Sequence, residues 1–186
     1  MNIIAGERRG AALFAPKGMD TRPTSAKVKE SLFNMIQAYV PESRVLDLFG
    51  GSGSLSFEAL SRGAACSVLC DLDREAVNCI RRNAQKLRYE DRIQVIQRDW
   101  KAAVAGMEPI PFDLVFLDPP YRMENTGEIS ALLARRGLLN PGAVLVLEHR
   151  TGSVPEPGEG FENFRVRTYG DTEIHIFRWN GEEEQP

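Results

Sequence analysis

The segment Asp118, Pro119, Pro120 and Tyr121 combines residue types that could position a reacting amine. Two successive prolines lack backbone N–H groups and fix two φ angles, so the carboxylate and the ring beside them are held in one geometry. An exocyclic amine on a purine or cytosine is a poor nucleophile, because its lone pair is delocalised into the ring. Asp118 and the Pro119 carbonyl could accept its two N–H bonds and direct that lone pair, while Tyr121 stacks on a base turned out of its helix or loop. We expect these four residues to be catalytic; a stiff loop with an incidental aspartate is the alternative when the segment is taken alone.

A glycine-rich segment lies further upstream, from Asp47 to Gly53, between a predicted strand and a predicted helix. Glycines let the backbone approach a ligand closely, and the start of a helix offers free N–H groups. No Gly-Lys-Ser/Thr is present, which excludes a P-loop, and the spacing differs from the dinucleotide pattern G-x-G-x-x-G. The Asp47 carboxylate would repel a pyrophosphate but can help to hold the ammonium group of a cationic amino-acid ligand. The pattern therefore favours S-adenosylmethionine over NAD, with contacts from Asp47, Phe49, Gly50, Gly51, Ser52 and Gly53.

Two later strand ends supply further candidate contacts to such a cofactor. Asp71 follows the glycine loop by about 20 residues, the position from which an acid can bind both ribose hydroxyls, and Leu72 offers an apolar face to adenine. Asp73 is interpreted as the cap of the next helix. After the third predicted strand, Asp99 could accept a hydrogen bond from the adenine amino group. Trp100 could pack on the adenine ring, although a core position explains a single aromatic residue there almost as well.

The elements that must position these residues alternate between strand and helix from residue 43 onward. Apolar strands that alternate with helices predict a mostly parallel sheet covered on both faces. In an open sheet of this kind, ligands bind beyond the carboxyl ends of the strands. The predicted strands are 44–49, 67–70, 93–96, 112–117, 143–148, 164–169 and 173–179, the last two as a hairpin, and the predicted helices are 24–39, 55–62, 74–87 and 129–136.

The amino-terminal residues are basic, although the whole chain has a formal net charge of -3. Residues 1–15 contain short apolar runs around a Glu-Arg-Arg-Gly turn, which predicts a β-hairpin, and Thr24 is the expected N-cap of the first helix. We expect residues 1–23 to form a basic arm and residues 24–186 a single catalytic domain. Such an arm can bind phosphates locally, because salt screens the field of the acidic remainder over roughly 8–10 Å; ordinary solvated surface is the alternative.

Length and composition fit one globular domain. The chain has 186 residues, enough for one full hydrophobic core. Its longest apolar runs, such as 143–147, are too short to cross a bilayer, and no signal peptide is evident at the start. Cys66, Cys70 and Cys79 are odd in number, close in sequence and without a histidine among them, which favours reduced thiols over zinc. We therefore expect a cytoplasmic protein without a metal.

Motifs along nearly the whole chain resemble the bacterial 16S rRNA guanine-N2 methyltransferase family. This family belongs to the class I methyltransferases that act on amino groups and carry an Asp-Pro-Pro-Tyr motif. The Arg-Pro-Thr motif at 22–24 is the most family-specific, whereas the glycine loop and Asp-Pro-Pro-Tyr are shared with many relatives. The segments that carry the resemblance are 6–10, 22–24, 28–34, 45–53, 58–64, 112–121 and 169–172.

The resemblance implies an S-adenosylmethionine-dependent enzyme that methylates the exocyclic N2 of a guanine in 16S rRNA. The implied fold is a seven-stranded, mostly parallel Rossmann-like sheet with helices on both faces, a final antiparallel hairpin and a short amino-terminal hairpin arm. The implied partner is ribosomal RNA or the small ribosomal subunit, and a monomer is expected. The sequence departs from the family where Lys27 and Lys29 replace arginine and where Gly51 replaces alanine. The residues expected to contact RNA are Arg8, Arg9, Lys17, Arg22, Thr24 and Lys27.

Two other functions remain open at the level of sequence. The same motif serves DNA adenine-N6 and cytosine-N4 methyltransferases, although 186 residues leave little room for a domain that reads DNA sequence. A cofactor-binding RNA chaperone or assembly factor without turnover is the other candidate. Intact Asp118 and Tyr121 count against it.

Overall fold

The computed structural model describes residues 1–16, 26–119, 126–152 and 157–181. Seven strands form one sheet: β1 Arg44–Asp47, β2 Cys66–Asp71, β3 Ile93–Gln97, β4 Phe112–Leu117, β5 Leu139–Arg150, β6 Phe161–Tyr169 and β7 Thr172–Trp179. The helices are α1 Ala26–Ile36, α2 Ser54–Ser61, α3 Arg74–Leu87, α4 Trp100–Gly106 and α5 Thr126–Arg135.

The strand order is β3-β2-β1-β4-β5-β7-β6, with the first five strands parallel and β7 and β6 antiparallel. The chain moves outward from β1 to β3 in one direction and then returns to β4 on the other side of β1. Strand order therefore reverses between β1 and β4, and a doubly wound sheet opens a ligand crevice at such a point. The predicted sheet and its terminal hairpin are confirmed, and the crevice lies where Asp47 and Asp118 end their strands.

Each face of the sheet is covered by a separate apolar cluster. In β4, Leu114 and Phe116 join the cluster that also contains residues of α1, α2 and α3, whereas Val115 and Leu117 join the cluster that contains residues of α4 and α5. Alternate residues of a strand point to opposite faces, so a strand buried on both sides must be apolar at every position. The uninterrupted apolar run at 114–117 follows from this requirement, whereas Asp113, nearer the start of the strand, is only half-buried.

Some boundaries differ from those expected from the sequence. The first strand ends at Asp47, two residues before its predicted end, because the chain turns there into the glycine loop. Helix α4 was not predicted. It has only seven residues, and its N-cap Asp99 was read as a ligand contact. The expected cap of the first helix, Thr24, lies outside the described residues.

The first 16 residues fold back on themselves and pack on α2 and α3. The expected hairpin is present, with a bridge between Asn2 and Ala12 and cross-strand backbone hydrogen bonds on both sides of it. Ile3 and Leu13 are buried in the cluster beneath it. Gly6 has a φ of +82°, and a Cβ there would lie 1.7 Å from the Ser61 carbonyl oxygen, so the turn requires glycine.

None of the helices in the described part of the chain is long and apolar enough to span a membrane. Cys66, Cys70 and Cys79 carry free thiols, as expected, and the last two are buried.

Candidate active site

Four acidic side chains meet at the carboxyl edge of the central strands. Asp47 and Asp71 end β1 and β2, Asp118 follows β4 directly, and Glu148 lies near the end of β5. Their proximity is evident in their electrostatics, since Asp71 raises the pKa of Asp47 while Glu148 and Asp47 raise the pKa of Asp118. Clustered carboxylates produce a negative potential at this edge, which favours a cationic ligand.

Asp47 is directed into the protein. Its side chain is 2% exposed, and Oδ2 accepts a 2.9 Å hydrogen bond from Ser56 Oγ, which in turn accepts one from Ser67 Oγ. Burial raises the pKa of Asp47 to about 7; the Ser56 hydrogen bond opposes this shift and the charge of Asp71 adds to it. A ligand at this edge would therefore be influenced by Asp47 mainly through the charge of its carboxylate and through its hydrogen bond to Ser56 of α2.

The glycine loop is a tight turn that depends on its glycines. Gly50 N donates to the Cys70 carbonyl at 2.8 Å, and Gly53 N donates to the Gly50 carbonyl. Gly51 and Gly53 have φ values of +54° and +78°, which disfavour residues with a side chain. At Gly53 a Cβ would also come within 2.4 Å of the Phe57 ring. The loop thus brings backbone, rather than side chains, to the edge of the crevice.

Asp71 is held rigidly beside this loop. Gly51 N donates to Oδ2 at 2.8 Å and Asp73 N donates to Oδ1 at 2.9 Å. Each carboxylate oxygen keeps a second lone pair for a ligand. The neighbouring Leu72 is 69% exposed and offers an apolar surface next to the carboxylate. Asp73 caps α3 by accepting from Glu75 N, as predicted.

Asp99 and Trp100 lie at the start of α4. Asp99 is exposed and caps the helix by accepting from Lys101 N at 2.9 Å. Asp47, Asp71 and Asp99 all help to raise the pKa of Cys70, for which burial is the larger cause, to about 11. The three predicted cofactor acids therefore surround one buried thiol. Trp100 is half-buried against the cluster that Phe49 also contacts.

Asp118 has an unusual environment for an aspartate. Its side chain retains exposure to solvent. The pKa of the Asp118 carboxyl is nevertheless raised well above the ordinary value, mainly because the surrounding protein desolvates it, and the charges of Glu148 and Asp47 add to this effect. Pro119 is buried behind it. Glu148 was missed at the level of sequence, although an acid at the end of an apolar strand was the available signal. The remaining catalytic candidates, Pro120 and Tyr121, lie outside the described residues.

The predicted RNA contacts differ in how they are placed. Arg8 is half-buried: its Nε donates to the Leu87 carbonyl at 2.8 Å, and its guanidinium lies 5.4 Å from the centre of the Tyr89 ring. Arg9 and Lys27 are exposed. Lys17, Arg22 and Thr24 lie outside the described residues. Arg8 therefore already has structural partners, whereas Arg9 and Lys27 face solvent.

A buried ion pair contacts the start of α2, directly after the glycine loop. Lys29 Nζ lies 3.3 Å from Glu58 Oε2, and both side chains are almost fully buried. The same ammonium group donates to Ser54 Oγ, at the first residue of α2, and to the Asn2 carbonyl. Glu58 also accepts from the Ile4 and Ala5 amides. This network joins the amino-terminal residues, α1 and the start of α2.

Comparison with known proteins agrees with this geometry. A family model described as conserved hypothetical protein 95 matches residues 1–178. Ribosomal RNA small subunit methyltransferase D of Haemophilus influenzae is 37% identical over 96% of this chain and 93% of its own length.

Solved structures share the whole architecture. The yhhF protein of Escherichia coli has a TM-score of 0.88 at 27% identity and covers 98% of this chain and 99% of its own. An RNA methyltransferase of Salinibacter ruber, solved in complex with S-adenosyl-L-homocysteine, has a TM-score of 0.66 at 19% identity over 88% of this chain and 96% of its own, which establishes the shared fold alone. On the family model and the close relative together, this chain belongs to the rRNA methyltransferase family that they represent.

Proposed function

We propose that this protein transfers a methyl group from S-adenosylmethionine to the exocyclic N2 of a guanine in 16S rRNA. The observation that carries the proposal is the convergence of Asp47, Asp71 and Asp118 at the point where strand order reverses. Family membership supports methyl transfer to rRNA, and the S-adenosyl-L-homocysteine complex of a structural neighbour supports the cofactor. The guanine N2 target rests on the motif resemblance.

The residues at the first two strand ends suit the parts of this cofactor. Asp71, fixed by two backbone amides, would accept from the ribose hydroxyls, and exposed Leu72 would lie against adenine. The loop from Phe49 to Gly53 would lie along the amino-acid portion, with the buried charge of Asp47 behind it. Asp99 and Trp100 would complete the adenine end. When bound, the cofactor supplies an electrophilic methyl group on a positively charged sulfur.

Asp118 and Pro119 would hold the target amine. A carboxylate and a backbone carbonyl accept the two N–H bonds, which leaves the nitrogen lone pair directed at the methyl group; positioning of this kind supplies much of the acceleration. The attack forms the N–C bond, breaks the C–S bond and leaves a positive nitrogen that must lose a proton. The raised pKa of Asp118 makes its carboxylate a better acceptor for that proton. Pro120 would stiffen the turn, and Tyr121 would stack on the target base.

The substrate would be rRNA, free or within the small ribosomal subunit, which makes the cytoplasm the expected compartment. The basic residues Arg9 and Lys27 are exposed for phosphate contacts, and we retain Arg8, Lys17, Arg22 and Thr24 as candidates beside them.

The test is to incubate the protein with labelled S-adenosylmethionine and, separately, 16S rRNA, small ribosomal subunits and duplex DNA, and then to map the modified atom. Label at N2 of one guanine in rRNA is the expected result. Label on adenine N6 or cytosine N4 of DNA would establish the DNA-modifying alternative. Absence of transfer to every substrate, with cofactor binding intact, would establish a binding protein without turnover.

A further inference from the structure

Helix α3 presents a row of basic side chains to solvent. Within its 14 residues, Arg74, Arg81, Arg82 and Lys86 oppose a single acid, Glu75. All of them are exposed. Arg82 and Lys86 lie four residues apart and Arg74 and Arg81 seven apart, and each spacing brings its two side chains to the same side of the helix. A local excess of positive charge on a chain with a net charge of -3 indicates a place where anions bind.

An aromatic ring lies within this basic surface. Phe14 remains 38% exposed. The Arg82 guanidinium lies 4.2 Å from the centre of its ring, and the Lys86 ammonium group lies 4.9 Å from it. We call Phe14, Arg81, Arg82 and Lys86 the Phe14 platform. A partly exposed ring beside cations combines the two chemistries that bind nucleic acid without reading its sequence, namely stacking on bases and attraction to phosphates.

The backbone of Phe14 is held in place by hydrogen bonds, although its ring is partly exposed. Phe14 N donates to Asn83 Oδ1 at 2.8 Å, and the Phe14 carbonyl accepts from Asn83 Nδ2 at 3.1 Å and from the Cys79 thiol. Asn83 is fully buried. A ring on a fixed backbone loses less conformational freedom when a base stacks on it, which favours binding.

The same asparagine connects the platform to the glycine loop. Asn83 Nδ2 also donates to the Ser52 carbonyl at 2.9 Å. One buried side chain therefore bridges the backbone of Phe14 and the backbone of the loop at the end of β1. Beside it lies a groove of about 440 Å³ in which two arginines outnumber one acid; its lining residues are Ala15, Pro16, Glu75, Asn78, Cys79, Arg81 and Arg82. An RNA strand that follows this groove would lie next to the candidate cofactor site.

We propose that the Phe14 platform binds the RNA substrate, with Arg81, Arg82 and Lys86 on its phosphates and Phe14 against an unpaired base. Arginine suits phosphate because its planar fork donates two parallel hydrogen bonds. The inference deepens the proposed rRNA methylation and rests on it. It assigns RNA contacts to α3, outside the basic residues singled out from the sequence.

Three variants separate the charge and stacking contributions. Arg81→Ala combined with Arg82→Ala removes two charges from the platform, and Phe14→Leu keeps an apolar side chain without an aromatic ring. Arg165→Ala combined with Arg167→Ala, on the exposed surface of β6, removes the same charge elsewhere and serves as the control. Affinity for 16S rRNA is measured across a salt series, with calorimetry for S-adenosylmethionine and thermal unfolding to verify each fold.

The platform arginine variant should bind 16S rRNA more weakly and lose about one unit of salt slope for each phosphate contact removed. Phe14→Leu should weaken binding by about 5- to 100-fold with little change in slope, as expected for a lost base stack. The β6 control should retain the parental slope, and all variants should keep parental cofactor affinity.

Equal RNA affinity and salt slope in the platform variants and the β6 control would overturn the inference, even if the parent methylates rRNA. Conversely, selective loss of RNA binding in a protein whose parent transfers no methyl group would support the platform while refuting the proposed function.

Discussion

The Lys29–Glu58 pair should be essential to stability because both charges are buried. Lys29→Met leaves Glu58 with Arg62 Nε at 2.8 Å and the Ile4 and Ala5 amides, but removes the ammonium group at 3.3 Å. Breaking a buried pair on one side costs about 3–5 kcal/mol. We expect a loss near the lower limit, about 3 kcal/mol, because Arg62 still compensates the carboxylate.

The assay is urea unfolding of Lys29→Met, Glu58→Gln and the double variant. Lys27→Met is the matched control, since Lys27 lies two residues away on α1 with its side chain in solvent; it should stay within about 0.5 kcal/mol of the parent. The double variant should be destabilised by at least about 1 kcal/mol less than the sum of the single variants, because contacting charges couple. Strict additivity, or an unchanged Lys29→Met, would refute the reasoning.

Three further predictions concern the acids at the strand ends. Asp71→Ala should weaken S-adenosylmethionine binding by about 10- to 100-fold through loss of charge-assisted hydrogen bonds; unchanged affinity by calorimetry would remove Asp71 from the site. Asp118→Ala should abolish most single-turnover methyl transfer at saturating cofactor while cofactor affinity stays within a few-fold of the parent, and Tyr121→Phe should keep much of the activity that Tyr121→Ala loses. The pKa of Asp47, raised to about 7 from an ordinary 3.8, means that the unfolded chain ionises first, so this group lowers folding stability as pH rises from about 4 to 7. In urea unfolding, Asp47→Asn should therefore be as stable as the parent near pH 4 and more stable than the parent at pH 8. Equal stability of the variant and the parent at pH 8 would contradict the raised pKa of Asp47.

The sheet could be predicted because burial on both faces imposes continuous apolar runs, such as 114–117 and 143–147. The short α4 could not be predicted, since seven residues carry too little hydrophobic periodicity to indicate a helix. Its cap Asp99 is equally compatible with ligand binding. The hairpin of residues 1–15 was predicted, but its docking on α2 was not. These residues are ordered by long-range contacts to Glu58 and Ser61, which a local pattern does not record.

The strand-end acids could be predicted because topology alone brings successive carboxyl ends to one edge. The directions in which these acidic side chains point could not be predicted. Asp47 faces inward because Ser56 and Ser67, on other elements, provide its hydrogen-bonded partners. Arg8 packs on Tyr89 for a similar reason, and Phe14 owes its position to Asn83 on α3. Each of these features depends on a partner more than 50 residues away or on another element of the fold.

The acidic edge also suggests how the protein would distinguish its cofactor from the spent product. Burial raises the pKa of Asp47 to about 7, so part of this group holds a proton near neutral pH. Burial, together with the charges of Glu148 and Asp47, raises the pKa of Asp118 in the same direction. A positively charged sulfur beside them would stabilise the ionised forms and release protons, whereas S-adenosylhomocysteine, with its neutral sulfur, would release fewer. Calorimetry at pH 7 in buffers of different ionisation enthalpy counts the protons released. We expect S-adenosylmethionine to release more protons than S-adenosylhomocysteine, and the difference to shrink in Asp47→Asn. Equal proton release by the two ligands would show that the acids respond to the amino-acid portion that both share, and the charge-based distinction would then be wrong.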